Sequence, residues 1–215
     1  MQIIDAGFEI IHLPQMDELH SFLEMAARTC YKSEKRSDPV QSAEFVHQII
    51  RSGHESVIEH ATATVKFIVD RGVSHELVRH RLAAYSQEST RYCNYSSGRF
   101  DGEITFIRPC FWDVASPQYM DWKLAMEKAE GYYMLFMKNG ATPQQARSVL
   151  PQSVKTEVVA TMNMRQWRHV LAQRTSKAAH PQMREVMFPL LCDLALKCPV
   201  LFKDVCEKAN CELPN

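Results

Sequence analysis

The chain has 215 residues, of which 46% are hydrophobic and 23% are charged, an ordinary composition for a globular protein large enough to bury a core. Lys plus Arg and Asp plus Glu each number 25, so no net charge attracts the chain as a whole to nucleic acid or to a membrane surface. The composition therefore excludes a strongly basic or acidic protein, and any anion-binding site must be local.

The N-terminal sequence, the length of the apolar runs and the cysteines indicate the cellular compartment. The N-terminal residues lack the basic start and apolar core of a secretory signal, and no apolar run approaches the about 18 residues that a membrane span needs. The seven cysteines form an odd number and contain no CxxC pair. We therefore expect buried, reduced, structural thiols, no metal site, no membrane partner and a cytoplasmic location.

The first half of the chain alternates strand and helix patterns. We predict that Gly53 ends the second helix, that Ser74 caps the third helix and that this helix carries Val78 to Arg81. The segment His54–His60 is predicted to be a loop. The predicted elements are a strand at 2–13, a helix at 15–31, a helix at 42–51, a strand at 61–70, a short helix after Gly72 and a strand at 86–97.

The second half is richer in helix. Thr142, Pro143 and Gln145 predict a capping box at the start of a short helix that Pro151 ends, and Asn163 caps a later helix. The predicted elements are helices at 119–138, 142–151, 164–174 and 182–197, the last kinked near Pro189, and a strand at 154–163. Together these predict an α+β fold, with a mixed, largely antiparallel sheet flanked by helices in a single domain over 1–215.

The segment Arg79–Arg81 sets Arg, His and Arg side by side. On a helix these side chains fan over about 200° and do not all reach one phosphate. On the strand predicted after them, Gln87, Ser89 and Arg91 share one face. An amide can read a base edge, and a hydroxyl with a guanidinium can hold a phosphate. Taken alone, the pattern fits either an ordinary basic surface or a nucleotide site.

Two further segments carry candidate ligand-binding residues. His54 and His60 stand six apart, about 120° off a common helical face, so they do not form a zinc site of the HExxH type, and they either contact a ligand or brace a loop. Downstream, Asn163 begins a helix on which Arg165 and His169 share a face. This second segment is either an anion site or a solvated amphipathic helix.

No glycine-rich phosphate loop is present, since none of the seven glycines is spaced as GxGxxG or GxxxxGK[ST]. Any bound phosphate must therefore be held by side chains. Arg79-His80-Arg81 followed after seven residues by Ser89 resembles the RHR-x7-S signature of the flavin-dependent thymidylate synthases. "AARTCY", "GHESVIEH", "RSVLP" from Arg147, and the stretch from Asn163 to His180 recur in that family in the same order.

The resemblance implies a set of site residues. Arg174 is implied as the catalytic residue that favours the ionised uracil. Ser89 is interpreted as a substrate ligand, since no base stands beside it. Implied FAD ligands are Ser56, Arg79, His80, Arg81, Gln87, Asn163, Met164, Arg165 and His169, with His54, Glu59, His180 and Cys30 near the flavin. Implied dUMP ligands are Glu76, Leu77, Val78, Arg79, Gln87, Glu88, Ser89, Thr90, Arg91, Arg147 and Arg174.

The resemblance also implies the reaction and the partners. A member of this family converts dUMP to dTMP with methylenetetrahydrofolate as carbon donor and NADPH-reduced FAD as hydride source, and it releases tetrahydrofolate. The resemblance also implies a homotetramer whose sites are shared between subunits. An RNA- or DNA-binding module and a non-catalytic nucleotide-binding protein are the alternatives; neutral charge argues against the first, and no nucleic-acid partner is expected.

Overall fold

A computed structural model describes residues 1–30, 32–33 and 38–211. It contains a four-stranded sheet of order β2-β3-β6-β4 and a two-stranded parallel sheet of β1 and β5. The strands are β1 (Gln2–Ile4), β2 (Gly7–His12), β3 (Thr62–Asp70), β4 (Ala83–Gln87), β5 (Thr105–Ile107) and β6 (Lys155–Asn163). The helices are α1 (Met16–Thr29), α2 (Pro39–Arg51), α3 (Arg71–Leu77), α4 (Pro117–Lys138), α5 (Pro143–Ala146), α6 (Met164–Arg174), α7 (Pro181–Lys197) and α8 (Pro199–Lys208).

Strands β3 and β6 run antiparallel. Arg71 N–H donates to the Gln152 carbonyl at 2.8 Å just beyond one end of the pair, and Met164 N–H donates to the Ala61 carbonyl at 2.9 Å beyond the other. Burial alternates along both strands, as the period-two patterns predict. The predicted α+β fold with a largely antiparallel sheet is confirmed.

Contacts within the chain divide it into two compact units. Unit 1 comprises 1–8, 67–79 and 85–159, and unit 2 comprises 9–66, 80–84 and 160–215. The boundary passes between Arg79 and His80. A single domain over 1–215 stays a prediction.

Each unit has its own apolar core. In unit 1, Tyr133 and Trp122 of α4 pack with Tyr95 and Phe106. In unit 2, Trp167 of α6 is fully buried and its indole N–H donates to the Ala63 carbonyl at 3.0 Å. Among the described residues, no helix combines the length and apolarity needed to cross a lipid bilayer.

Three helices begin earlier than predicted, each at a proline that follows its N-cap residue. Helix α2 begins at Pro39, where the Asp38 carboxylate accepts the Gln41 N–H, and α4 begins at Pro117 after Ser116. Helix α7 begins at Pro181. Proline at the first helical position lacks only an N–H that would be unpaired there. The predicted helix at 15–31 is observed as α1, and its last predicted residue, Tyr31, lies outside the described residues.

The prediction that α3 carries Val78 to Arg81 is wrong. Asp70, not Ser74, caps this helix by accepting the Val73 N–H at 2.8 Å, and the helix ends at Leu77. A Cβ at Gly72 would lie 2.9 Å from Asp70 Oδ1, so a side chain there would displace the capping carboxylate. The segment Arg79–Arg81 therefore lies in the turn and irregular chain between α3 and β4, and the helical fan of three basic side chains does not form.

The predicted strand at 86–97 is also wrong. Strand β4 ends at Gln87, and the chain then turns, so Gln87, Ser89 and Arg91 do not form a row on one face. Polar and aromatic residues in this stretch satisfy the backbone by local hydrogen bonds instead of strand pairing.

Smaller differences follow from local turns. The predicted strand at 2–13 is split into β1 and β2, the predicted loop contains a 3₁₀ helix at Glu55–His60, and the predicted helix at 142–151 consists of α5 with its capping box and a 3₁₀ turn at Arg147–Val149. Strand β5 and helix α8 were not predicted. No disulfide joins the seven cysteines, but Cys30 and Cys110 are exposed, so the prediction that all the thiols are buried is wrong.

Candidate functional site

In unit 1, the predicted nucleotide-binding residues gather at the turn after β4. The Ser89 carbonyl accepts the N–H groups of Tyr92 at 3.1 Å and Cys93 at 3.0 Å, and Ser89 Oγ accepts the Arg91 N–H at 3.3 Å. The Arg91 guanidinium is exposed and its carbon lies 5.4 Å from the Tyr92 ring centroid. The turn is thus closed by its own backbone and presents a guanidinium outward.

Arg147 reaches this turn from a distant part of the sequence. Its Nη1 donates to the buried Thr90 Oγ1 at 3.4 Å, and Arg147 itself is exposed. Arg91 and Arg147 therefore border the same turn. Exposed guanidiniums beside hydroxyl groups are suited to a phosphate monoester, which they can bind in bidentate fashion. We call Ser89, Thr90, Arg91 and Arg147 the turn cluster.

Gln87 fixes α3 against β4 rather than pointing its amide N–H groups into open space. Its Nε2 donates to Ser74 Oγ at 2.9 Å and to Thr156 Oγ1 at 3.2 Å. The Tyr85 hydroxyl likewise donates to the Leu77 carbonyl at 2.8 Å. Of the predicted ligands on this segment, Leu77 is fully buried, Glu76 and Val78 are half-buried, and Arg79 is exposed.

Glu88 is held in an internal network. Its carboxylate accepts the Tyr95 hydroxyl and the Lys155 ammonium, both at 2.9 Å. Burial raises the pKa of Tyr95, and the charge of Glu88 raises it further. Burial opposes the charge on Lys155, but hydrogen bonds to Glu157 and Glu88 outweigh it and raise the pKa of that ammonium. The side chain predicted to contact substrate is thus engaged in supporting the sheet.

In unit 2, Arg174 contacts a neutral histidine. Its Nε donates to His80 Nε2 at 2.9 Å, and the His80 ring lies edge-on to His169 with centroids 6.3 Å apart. His80 is 7% exposed, and burial, with the charges of Arg174 and His169, lowers its pKa to about 4. This imidazole is neutral at physiological pH, so the contact orients the Arg174 guanidinium without cancelling its charge.

Three predicted cofactor ligands line a cleft of about 600 Å³ at the start of α6, namely Asn163, Arg165 and His169. Glu59 lines the same cleft and accepts Arg165 Nη1 at 2.5 Å. Asn163 Oδ1 accepts the Gln166 N–H at 2.8 Å as the helix cap. Arg165 and His169 are both exposed, so the prediction that they share a face is confirmed, whereas Met164 is fully buried.

Arg168 supports this cleft and was missed by sequence reasoning. The buried guanidinium donates to Glu55 Oε1 at 3.0 Å, to Asp204 Oδ1 at 2.6 Å and to the Leu201 carbonyl. Burial opposes ionisation of Asp204, but the Arg168 charge outweighs it and lowers the pKa of that carboxyl. Arg168 stands next to Trp167, on the apolar side of α6. A charged residue among apolar positions of a helix is the sequence signal that could have identified it.

The other predicted flavin-proximal residues lie elsewhere in unit 2. Cys30, His54 and Ser56 line a second cleft of about 400 Å³, separate from the one at α6. His180 is exposed and its Nδ1 accepts the Gln182 N–H at 3.3 Å as the cap of α7. Arg81 is exposed in the segment after α3. Unit 2 thus holds most of the predicted cofactor ligands, whereas Arg79 and Gln87 belong to unit 1.

The protein resembles known proteins over most of its length. A sequence profile described as thymidylate synthase complementing protein matches residues 13–200. The flavin-dependent thymidylate synthase of Thermococcus kodakarensis is 38% identical over 151 residues, covering 69% of this chain and 60% of the relative. Those of Corynebacterium aurimucosum and Mycobacterium tuberculosis are each 32% identical, covering 87% and 86% of this chain and 80% and 78% of the relatives.

The fold is also that of a solved structure. A crystal structure of the UMP/dUMP methylase PolB from Streptomyces cacaoi, bound with 5-Br UMP, superposes with a TM-score of 0.76 at 20% identity and covers 100% of this chain and 99% of its own. At that identity the likeness concerns the fold. Since the profile matches most of the sequence and curated relatives agree with it, this chain belongs to the thymidylate synthase complementing protein family, whose members named above are flavin-dependent thymidylate synthases.

Proposed function

We propose that the protein catalyses reductive methylation of dUMP to dTMP, with methylenetetrahydrofolate as carbon donor and NADPH-reduced FAD as hydride source, and that it releases tetrahydrofolate. The observation that carries the proposal is the Arg174–His80 contact of 2.9 Å, which fixes a charged guanidinium beside a neutral imidazole. Family membership and the names of the relatives support it.

We assign substrate binding to the turn cluster. The phosphate of dUMP is dianionic near neutral pH, and Arg91 and Arg147 offer two exposed guanidiniums at one turn. Ser89 serves as a ligand and not as a nucleophile, since its Oγ accepts a backbone N–H and a serine needs an adjacent base for activation. Arg79 and the half-buried Glu76 and Val78 complete the proposed contacts.

Arg174 is the proposed catalytic residue. A guanidinium stays charged at any working pH and stabilises an anion placed against it. Against the uracil ring it favours loss of the N3 proton, which raises the electron density at C5, the carbon that receives the new group. The neutral His80 holds the guanidinium in place for this role.

The residues of unit 2 fit a flavin dinucleotide. The cleft at α6 has the volume of a ligand site, and Arg165 offers N–H donors in the first turn of the helix, with His169 one turn further along the cleft. Arg165 is paired with Glu59, so phosphate binding requires that guanidinium to exchange a carboxylate for the ligand. When bound, the flavin supplies hydride transfer. Asn163, Arg165, His169, His80 and Arg81 would hold it, with Ser56, His54 and Cys30 in the second cleft.

We further propose a cytoplasmic homotetramer that binds neither nucleic acid nor membrane. The equal numbers of acidic and basic residues and the absence of disulfides among the seven cysteines support this. Sites shared between subunits follow from the family resemblance and are tested by mixing variants, as described in the Discussion.

Flavin absorbance and turnover test the proposal together. We expect yellow protein with an absorbance maximum at about 450 nm, NADPH oxidation that depends on dUMP, and dTMP formation that requires both dUMP and methylenetetrahydrofolate. Arg174→Ala should keep the flavin and lose turnover, whereas Lys177→Ala, an exposed charge three residues on, should behave as the unmodified protein.

Three results would contradict the proposal. Colourless protein that takes up no FAD contradicts the cofactor assignment. Binding of dUMP without any turnover indicates a non-catalytic nucleotide-binding protein. Turnover by Arg174→Ala close to that of the unmodified protein removes Arg174 from its assigned role.

A further inference from the structure

Three cysteines of unit 2 that the proposed reaction does not use lie together. Cys192 belongs to α7, Cys206 to α8, and Cys211 follows the end of α8. Their Sγ atoms all lie within 4.8 Å of one another. Cys206 is buried and the other two are half-buried. Within residues 1–30, 32–33 and 38–211, this is the group whose donor atoms could share one metal ion.

The way α8 ends brings two of these thiols together. Asn210 adopts a left-handed conformation with φ of 56°. Its N–H donates to the Glu207 carbonyl at 3.1 Å, and the Cys211 N–H donates to the Cys206 carbonyl at 3.0 Å. This is the Schellman motif, in which the side chains at the positions of Cys206 and Cys211 contact each other. In most helices that contact is apolar, and here both partners are thiols.

Packing of α7 against α8 supplies the third sulfur. A Schellman contact needs only two residues, so the presence of Cys192 goes beyond what helix termination requires. Zinc binds thiolate at about 2.3 Å, which places two sulfurs of a tetrahedral site about 3.8 Å apart. Sulfurs already within 4.8 Å therefore need to approach by no more than about 1 Å.

The burial of these thiols suits a metal ligand set, since Cys206 is buried and Cys192 and Cys211 are half-buried. A bound cation displaces the thiol protons and stabilises the thiolates.

We propose that Cys192, Cys206 and Cys211 bind one thiophilic metal ion, zinc(II) or copper(I), which fastens the end of α8 to α7. Both ions prefer thiolate ligands, and three thiolates leave a tetrahedral zinc one position for water or another donor. The site stands apart from the proposed reaction, since none of the three cysteines belongs to the residues assigned to dUMP or FAD.

Metal titration of the full-length protein tests the site. The protein is purified under a non-chelating reductant, treated with EDTA, and titrated without oxygen with zinc(II) or copper(I), and with cobalt(II) as a coloured probe. We expect one equivalent of zinc or copper to bind and to raise the thermal midpoint, and cobalt to give the near-ultraviolet charge-transfer absorption of thiolate ligands. Comparing the two titrations identifies which ion the site prefers.

Serine variants connect the binding to these side chains. Cys192→Ser, Cys206→Ser and Cys211→Ser should each weaken metal affinity by about 100-fold or more, since losing even an outer-shell partner of a ligand costs 10–100-fold. Cys110→Ser, an exposed cysteine of unit 1, should bind metal as the unmodified protein does. Circular dichroism checks folding, and Cys211→Ser carries the test if the buried Cys206→Ser does not fold.

Two outcomes would overturn the proposal. One is the failure of both zinc and copper to bind stoichiometrically to folded, reduced protein. The other is a triple serine variant that binds metal as tightly as the unmodified chain does.

Discussion

His80 shows how a single buried residue connects the site to pH. Burial first, and then the charges of Arg174 and His169, lower its pKa to about 4. In the unfolded chain a histidine titrates at about 6.5. Between these two pH values His80 is protonated in the unfolded state and unprotonated in the folded state.

We therefore predict that stability falls as the pH falls from about 6.5 to about 4, by at most about 3 kcal/mol from His80. Above about 6.5 this contribution is fully present. Urea denaturation at a series of pH values measures it, and His80→Gln should flatten the dependence. Burial also lowers the pKa of His20, so the stability of the His80→Gln variant should still fall somewhat as the pH falls. Identical slopes in both proteins would contradict the prediction.

Replacing Glu88 tests whether its carboxylate stabilises the fold or contacts the substrate. Glu88→Ala removes the acceptor of the buried Tyr95 hydroxyl and one of two carboxylates on Lys155. We expect a loss of about 1–3 kcal/mol in the free energy of unfolding, since a buried donor is left unsatisfied. Denaturant unfolding measures the loss, with Glu157→Ala, which leaves Glu88 in place, as the milder control. If Glu88→Ala instead leaves stability unchanged and raises the KM for dUMP, Glu88 contacts substrate.

At the scale of elements, α6 joins helix stability to the proposed cofactor site. Asn163 caps α6 at the edge of the cleft of about 600 Å³, and Asp38 caps α2 with the same geometry. Asn163→Ala and Asp38→Ala should each destabilise the protein by about 1 kcal/mol, the usual cost of losing a cap. Thermal unfolding measures this cost for both.

Of the two capping residues, Asn163 and Asp38, only Asn163 lies at the proposed FAD cleft. We expect only Asn163→Ala to weaken FAD binding, measured by titrating flavin-free protein, because only that cap lines the cleft with Arg165 and His169. Equal flavin affinity in both variants would leave Asn163 with a purely structural role.

At the scale of the whole molecule, mixing two inactive variants tests whether subunits share sites. Arg147→Ala removes a residue of unit 1 and Arg174→Ala a residue of unit 2. If each site takes these residues from different chains, reassociated mixtures recover activity in about a quarter of the sites, as random pairing of two subunit types gives. Turnover after dissociation and reassociation measures it, with chromatography of the native protein as the check on assembly.

Activity that stays at the level of the separate variants, in mixtures shown to have exchanged subunits, would place both arginines in one chain. A monomer on chromatography would contradict the homotetramer itself.

Sequence by itself determined the elements whose pattern is local. Alternating apolar residues identified β3 and β6, and polar caps such as Asn163 and Thr142 identified helix starts, because period and capping depend on neighbours within a few residues. The RHR-x7-S spacing and four further segments identified the family, which the profile match confirms.

Tertiary structure decided what those residues touch. The basic triplet lies beyond α3 because Asp70, four residues before Ser74, caps the helix and the helix ends at Leu77, and Gln87 donates to Ser74 and Thr156 instead of pointing along a strand face. The approach of Arg147 to Thr90 and of Arg174 to His80, and the meeting of Cys192 with Cys206 and Cys211, join positions far apart in the chain. Such contacts depend on how distant elements pack, and the spacing of residues in a single sequence does not encode that directly.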